Sequence, residues 1–408
     1  MKIRRSSVAV AAAAASLLAV LTAPASAPAV AQTAPELPTL LGWAAGTGTA
    51  FREQLPQIEQ QAGKTPALSM VSFRIGTNDS GGDTDWGQAW IPGLLSDLTE
   101  LGTVPYLELE TSNVGALADG RLDNEVDRMV GTLGGWLRGD ASRRLLIAPL
   151  PEMNLKEHQW GLQPTAYKLS YHRIRGAFHD AGVDADQIRF VFAPNGLSSE
   201  GTGSYPRYYP GDGAVDIVGF AKLNRGTPWR DYAETFQMHI DEMRRTVTTS
   251  KPILITQTGS VTSGGNRAAW LHDMFTRLDA HDQVIGAVYF NRNKDHDYRV
   301  LVDGTLDATF RNDYRTYWSA PSQVSFVYDG SLDAWVRSRG GTPAARFADT
   351  ARSPFRADIE WVADAGITAG CNPDHYCPSH AVTRAQMATF LARALDLPAT
   401  RTDHFTDD

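Results

Sequence analysis

Between Leu40 and Ala320 the chain repeats one unit eight times: a short apolar run followed by an amphipathic stretch. The runs are Leu40–Ala44, Ala67–Ile75, Thr103–Leu109, Arg144–Leu150, Ile188–Ala193, Val215–Phe220, Lys251–Thr256 and Val284–Phe290. Runs this short, bounded by charge or by Pro, suit strands covered on both faces rather than helices. Between them, Tyr167–His179 and Asp231–Thr246 place apolar residues three and four apart, which predicts helices with one buried face. Strands alternating with crossover helices predict an α/β fold, a (β/α)8 TIM barrel spanning 40–320.

In such a barrel, polar residues at the C-terminal ends of strands line the active face. Glu108 and Glu110 close the third run, Glu152 and Asn154 follow the fourth and Asn195 the fifth, with Asn224, Gln257 and Asn291 after the last three. They are predicted to share one rim. Glu108 and Glu110, two apart on a strand, point to the same side; each reads equally as a site residue or as a satisfied structural acid. Glu152 is the sharpest candidate, because the apolar run before it stops abruptly and Lys156, Glu157, His158 and Trp160 follow. Alone it would read as a solvated loop acid, since most acids are that. Trp160 and Tyr289 are expected to be sugar platforms, and Trp43, Trp86, Trp90 and Tyr298 to be core.

The ends and composition narrow the setting. A basic start at Met1–Arg5, an apolar stretch from Val8 to Leu21 and small residues at Ala29–Ala31 predict a signal peptide over 1–31, cleaved after Ala31. The mature protein is therefore expected to be secreted, extracellular or wall-associated, and no later apolar segment approaches the roughly 20 residues of a membrane span. With 46 acids against 38 Lys and Arg, a net charge of -8 and no basic run, nucleic acid is excluded as a partner. Cys371 and Cys377 are expected to close a local disulfide loop, since a metal site there would need more ligands than His375 adds. No metal or cofactor is expected.

Several stretches, in order, resemble glycoside hydrolase family 26. They are Phe73 with Trp86 and Gly87, Pro151–Asn154, Trp160 with Gly161, Phe192–Asn195, Val215–Gly219, Lys251–Gly259, and Ala287–Asn291 with Asp297–Arg299. The resemblance covers almost all of Leu40 to Trp318. It implies a barrel acting mainly on β-mannans, with an acid/base Glu after strand four and a nucleophilic Glu after strand seven. The first maps onto Glu152. At the second the chain has Gln257, and an amide can neither form the glycosyl ester nor supply the negative charge of a retaining site. The family's Arg and His near the acid are replaced by Ala148 and Pro151, and its Tyr after strand six by Leu223. Asn154, Trp160, Asn195, Tyr289 and Glu110 are the remaining candidates for contacting a polysaccharide. Two functions follow: a hydrolase in which Glu110 or another rim acid replaces the nucleophile or activates water, or a glycan-binding barrel without catalysis.

After Ala320 the pattern becomes irregular, predicting a linker over 321–346 that includes Gly340–Pro343. Residues 347–408 then resemble one S-layer homology repeat in its Cys-containing form, through Phe347–Asp349, Ile359–Ala365, Gly366–Gly370, Cys371–Pro378, Val382–Gln386 and Leu391–Leu395, with a second beginning at Phe405. Thr383 and Gln386 have the spacing of a helix-starting capping box. The resemblance implies that Arg384 holds a cell-wall polymer, against the alternative of a solvated first-turn Arg.

Overall fold

The computed structural model describes residues 36–45, 50–76, 90–183, 186–197, 204–248, 250–339, 347–350, 353, 355–371, 375–395 and 397. The signal segment, Trp86 and Gly87, Gly340–Pro343 and the Phe405 segment lie outside them.

Eight parallel strands close into a barrel in sequence order. Along the chain they alternate with helices: β1 Leu40–Ala44, α1 Phe51–Ala62, β2 Leu68–Ile75, α2 Trp90–Glu100, β3 Val104–Thr111, α3 Val114–Ala118, α4 Asp123–Arg138, β4 Leu145–Pro149 and α5 Pro164–Asp180. Then come β5 Ile188–Phe192, α6 Tyr205–Tyr208, β6 Ile217–Asn224, α7 Met238–Thr246 preceded by a π-helical turn, β7 Ile253–Ser260, α8 Arg267–Asp279, β8 Val284–Phe290 and α9 Ala308–Tyr317. The expected (β/α)8 barrel is the observed fold. β1 and β8 match the predicted runs residue for residue, whereas β3, β6 and β7 run on for two to four residues past them. Those extra turns of strand carry Glu110, Asn224 and Gln257, polar residues that an apolar-run criterion stops at.

Two apolar layers hold the barrel. Between strands and helices lie residues such as Trp43, Tyr167, Tyr171, Phe192, Tyr289 and Phe310, all buried. α5 shows how the pattern builds this layer: Pro164 sits in its first turn, where a missing N–H costs nothing, and Tyr167, Tyr171, Ile174 and Phe178 form its buried stripe. Inside the barrel, Met70, Tyr106, Leu146, Val191, Leu254 and Phe290 fill the lumen. Closure of β8 on β1 runs over Gly286 at φ 145°, where a Cβ would meet the Leu40 carbonyl oxygen at 2.0 Å; only glycine fits there.

The segment expected to be a linker is in part a plug. A 3-10 turn, Pro321–Val327, and α10, Ser331–Ser338, bury Val327, Tyr328, Leu332 and Trp335 with the inner layer. Arg189, nearly fully buried on β5, donates to the Val327 carbonyl at 2.9 Å and pairs with Asp333 at 3.3 Å. Arg189 stands at the start of β5, which places the plug at the N-terminal end of the barrel.

Beyond it, α11 (Arg356–Asp364) and α12 (Arg384–Ala394) form a small helical module, in which Cys371 and Cys377 are disulfide-bonded. Thr383 and Gln386 make both bonds of the capping box at the start of α12. Trp361 of α11 lies 4.4 Å, centroid to centroid, from His172 of α5. Arg384 is exposed. No described helix is long and apolar enough to cross a membrane.

Candidate active site

The mouth at the C-terminal ends of the strands is organised by two carboxyl groups in contrasting surroundings. The first follows β4. Leu150 and Glu152 both adopt left-handed backbone conformations, φ 51° and 55°, which cost of order 1–3 kcal/mol each for side chains of this kind. The strain is held in place by backbone bonds from Leu150 N–H to Leu109 and from Glu152 N–H to Ala193, each 2.7 Å. The turn aims Glu152 into the mouth with its side chain 21% exposed.

Each oxygen of Glu152 has a partner. Asn195 Nδ2 donates to Oε1 at 2.6 Å, and His158 Nε2 lies 3.1 Å from Oε2. His158 is in turn stacked on Trp160, centroids 4.5 Å apart and planes 16° from parallel. Trp160 is buried, with its indole N–H given to the Pro151 carbonyl at 2.7 Å. Burial would by itself raise the Glu152 pKa, but the bonds from His158 and Asn195 and the positive charge of Lys294 outweigh it and hold the carboxyl below its usual range. Glu152 is an oriented carboxylate.

The second carboxyl is Glu108, on the inner face of β3 and only 4% exposed. Opposite it in the eight-strand ring stands β7, and there Gln257 Nε2 reaches both carboxyl oxygens, at 3.1 and 2.9 Å. The pair spans the barrel. Burial drives the Glu108 pKa up to about 8, with Glu152 and Glu110 adding and the Gln257 amide and the more distant Arg292 opposing. The shift favours the protonated form of Glu108. Glu110, one pleat further along, pairs with Arg74 at 2.9 Å.

Several expectations change on this geometry. Trp160 is a support for His158 rather than a sugar platform. Tyr289 points out of the barrel into the helix layer, fully buried against Trp43 and Phe310, with its hydroxyl on the Tyr298 carbonyl. Trp90, expected in the core, is 54% exposed at the start of α2, on the mouth side of β2. Asn154 is fully buried, locking its amide to both the N–H and the carbonyl of Asn195, each at 2.8 Å. Asn224 and Asn291 are backbone clamps of the same kind. An Asn after a strand thus marks a loop to be fastened as readily as a ligand to be bound.

The structure also reveals residues that sequence reasoning passed over. Where the family has His the chain has Pro151, and His158, from the loop after it, hydrogen-bonds Glu152. Its sequence signal was present in the Glu-His-Gln-Trp cluster. Glu108 carried no signal beyond its spacing from Glu110, because a partner 149 residues away is invisible locally. Among the described residues no group of three or more His, Cys, Asp or Glu is arranged to hold a metal ion.

Known proteins give this geometry a context. No protein-family profile matches the chain. Endoglucanase H of Acetivibrio thermocellus is 26% identical over 214 residues, which is 49% of this chain and 23% of that protein; the chain thus spans about a quarter of the relative's length. Among solved structures, a modular endo-β-1,4-mannanase from Cellulomonas fimi, described with the glycoside hydrolase family 26 mannanases, superposes with a TM-score of 0.52 at 17% identity, over 72% of this chain and 74% of that one. The family 26 domain of a Prevotella bryantii endo-β-mannanase/endo-β-glucanase gives 0.50 at 15% identity, over 68% and 88%. These likenesses carry the fold: a closed parallel barrel similar to that of family 26 mannanases, with its open mouth at the strand ends that bear Glu152 and Gln257.

Proposed function

We propose that this is an exported, envelope-associated protein of the glycoside hydrolase type, whose barrel mouth takes a β-mannan-type polysaccharide without using the retaining route. The observation that carries this reading is the Glu108–Gln257 pair. A retaining site needs two carboxyls about 5 to 5.5 Å apart, one of them a free nucleophile. Here the position after β7 is an amide, and that amide is engaged by Glu108. The relatives, named as mannanases and an endoglucanase, support a β-linked polysaccharide as ligand. Exposed Trp90 is the aromatic surface against which a sugar ring can stack at the rim.

The second reading, a glycan-binding barrel without catalysis, is favoured by the same pair, because a carboxyl held by an amide closes the floor of the mouth. For the tail we propose that residues 347–408 hold a cell-wall polymer through a surface that includes Arg384, as the S-layer homology resemblance implies; its exposure on α12 is compatible with this.

The test incubates the mature protein with β-1,4-mannan and glucomannan, follows binding by calorimetry, and searches the intact mass for a covalent adduct after treatment with a 2-fluoro-mannosyl inactivator. Binding that weakens about tenfold in Trp90→Ala, with no adduct, is expected; an adduct would overturn the non-retaining assignment, and no binding to either polymer would overturn the ligand class. Sedimentation with purified cell walls, with and without 347–408, tests the tail: equal pelleting rules it out as the anchor.

A further inference from the structure

We propose that the mouth contains a subsite for an anionic group on its glycan, a carboxylate or a phosphate, formed by Arg292 with Lys294 beside it. The proposal rests on the reading of the mouth as a β-mannan-type site and adds the substituent that the polymer carries.

The subsite lies in the loop after β8. Arg292 follows the strand by two residues and its backbone is fixed from both sides: its N–H donates to the Phe290 carbonyl, and its carbonyl accepts from the Tyr298 N–H, each at 3.0 Å. Buried Asn291 accepts from the N–H groups of Val300 and Leu301, fastening the far end of the loop to the strand. The Arg292 guanidinium lies over the ring of Phe290, with Cζ 5.5 Å from the centroid. Phe290 ends β8 and belongs to the inner layer of the barrel, so this arginine sits against the top of the lumen and not on the outer wall.

What sets Arg292 apart is its partners. An arginine carries five N–H donors, and a partly buried one is expected to direct them at acids or carbonyls. Two other arginines of the mouth do so: Arg74 pairs with Glu110 at 2.9 Å and Arg225 with Asp295 at 3.2 Å. The Arg292 guanidinium makes no hydrogen bond or ion pair among the described residues. Glu108 is close enough to feel its charge, but both oxygens of Glu108 accept from Gln257 instead. Burial lowers the Arg292 pKa, with Glu108 acting the other way. A charge partly removed from water and left without an acceptor costs free energy. The planar fork of a guanidinium matches a carboxylate or a phosphate through two parallel, charge-assisted bonds, a fit that a sugar hydroxyl does not give.

Lys294, two residues on, is exposed and makes no ion pair among the described residues, and its charge acts on Glu152. Glu152 has its own donors in Asn195 and His158, so neither cation is committed to it. One loop thus brings a cation towards each of the two carboxyls, Arg292 on the Glu108 side and Lys294 on the Glu152 side. A glycan in the mouth passes this loop, and an acidic group on it gives the Arg292 donors the acceptor that the protein does not.

The test compares hexamers with one β-1,4-linked backbone: mannohexaose, hexamannuronate, in which each C6 is a carboxylate, and mannohexaose phosphorylated at O6. Binding to the full mature chain is followed by calorimetry at low salt, and the readout is the ratio of acidic to neutral affinity. A ratio is insensitive to a misfolded fraction of a variant, because both ligands lose it equally. An acidic preference of about tenfold or more is expected, the scale of hydrogen bonds to a charged group. In Arg292→Gln the preference should disappear, and Arg292→Lys, which keeps the charge but loses the fork, should fall between. Lys294→Ala should lower the preference only about twofold to fivefold, the scale of an exposed charge pair, and high salt should erase that part. Tighter binding of the phosphorylated hexamer than of hexamannuronate supports the subsite and identifies its group as phosphate; the reverse order identifies a carboxylate. Equal affinity for neutral and acidic hexamers, or a preference that survives in Arg292→Gln, overturns the proposal and leaves the mannan reading standing. Failure of all three hexamers to bind removes that reading and the subsite with it.

Discussion

The two sides of the mouth solve the same problem, how to keep a carboxyl inside a barrel, in opposite ways. Beside β4, Glu152 stays charged because the chain brings it donors and leaves a window to solvent. Across β3 and β7, Glu108 is sealed and keeps its proton. Burying an isolated carboxylate costs far more than neutralising it, so a sealed acid without a cation shifts its pKa rather than ionise. The difference teaches that the Glu-to-Gln change at 257 is not simply a lost nucleophile. It is half of a pair, and its other half is the buried carboxyl of Glu108.

The sharpest way to break the contrast is to make both sides acidic. Gln257→Glu puts a second carboxyl about 3 Å from Glu108. Between the pair's two titration steps the carboxyls share one proton, and retaining cleavage stays absent. Above pH 9 both must ionise, and two like charges at that distance cost about 5 kcal/mol at an effective dielectric of 20. Urea unfolding should show Gln257→Glu close to wild type at pH 5 and strongly destabilised at pH 9, and the exchanged pair Glu108→Gln with Gln257→Glu should recover most of the loss. Equal stability of the single variant at both pH values would mean that the two side chains do not face each other.

The fold was legible because it depends on a repeated local property. Eight apolar runs announced eight strands, and β1 and β8 ended where their apolar residues ended. Glu152 was legible too, since its run stops abruptly beside a cluster of polar and aromatic residues. What escaped was set by contacts distant in sequence. Whether Trp160, Tyr289 or Trp90 is buried depends on which way each backbone turns: the two expected platforms, Trp160 and Tyr289, are buried, and Trp90, expected in the core, is exposed. The outward direction of Tyr289 on β8 follows from the register shift near Ile253 and Leu254, where β7 meets β8. Nor could the Glu108–Gln257 bond be read from either neighbourhood, as it joins opposite points of a closed ring. The buried end of the supposed linker was hidden for a related reason: Tyr328, Leu332 and Trp335 form too short a stripe to announce a core element until the barrel is there to receive it.

A gentler way to sharpen the comparison is to titrate it. Glu108, with a folded pKa raised from 4.5 to about 8, contributes stability that is fully present below pH 4.5 and lost as pH rises through about 8. Glu152, with its pKa lowered, contributes in the other direction: its stability is present above the ordinary carboxylate range and lost as pH falls through its folded pKa. Between pH 5 and 9 the wild type should lose up to about 4 kcal/mol relative to Glu108→Gln. Denaturant midpoints of the two proteins measured across that range give the difference directly. Parallel curves would place Glu108 in contact with water or a cation and remove the distinction between the two sides.

The smallest expected effect tests how the charged side is built. Trp160→Phe keeps an aromatic ring under His158 but removes the N–H that now ends on the Pro151 carbonyl. One buried acceptor loses its partner, a change worth about 1–2 kcal/mol. If Trp160 acts as the support of His158, the loss should extend beyond stability: a less firmly held imidazole gives Glu152 a weaker hydrogen bond, and the carboxyl should titrate higher than in wild type. Carbon-13 NMR of the Glu152 carboxyl, assigned by comparison with Glu152→Gln, follows that shift. A Glu152 titration that does not move would make Trp160 plain packing.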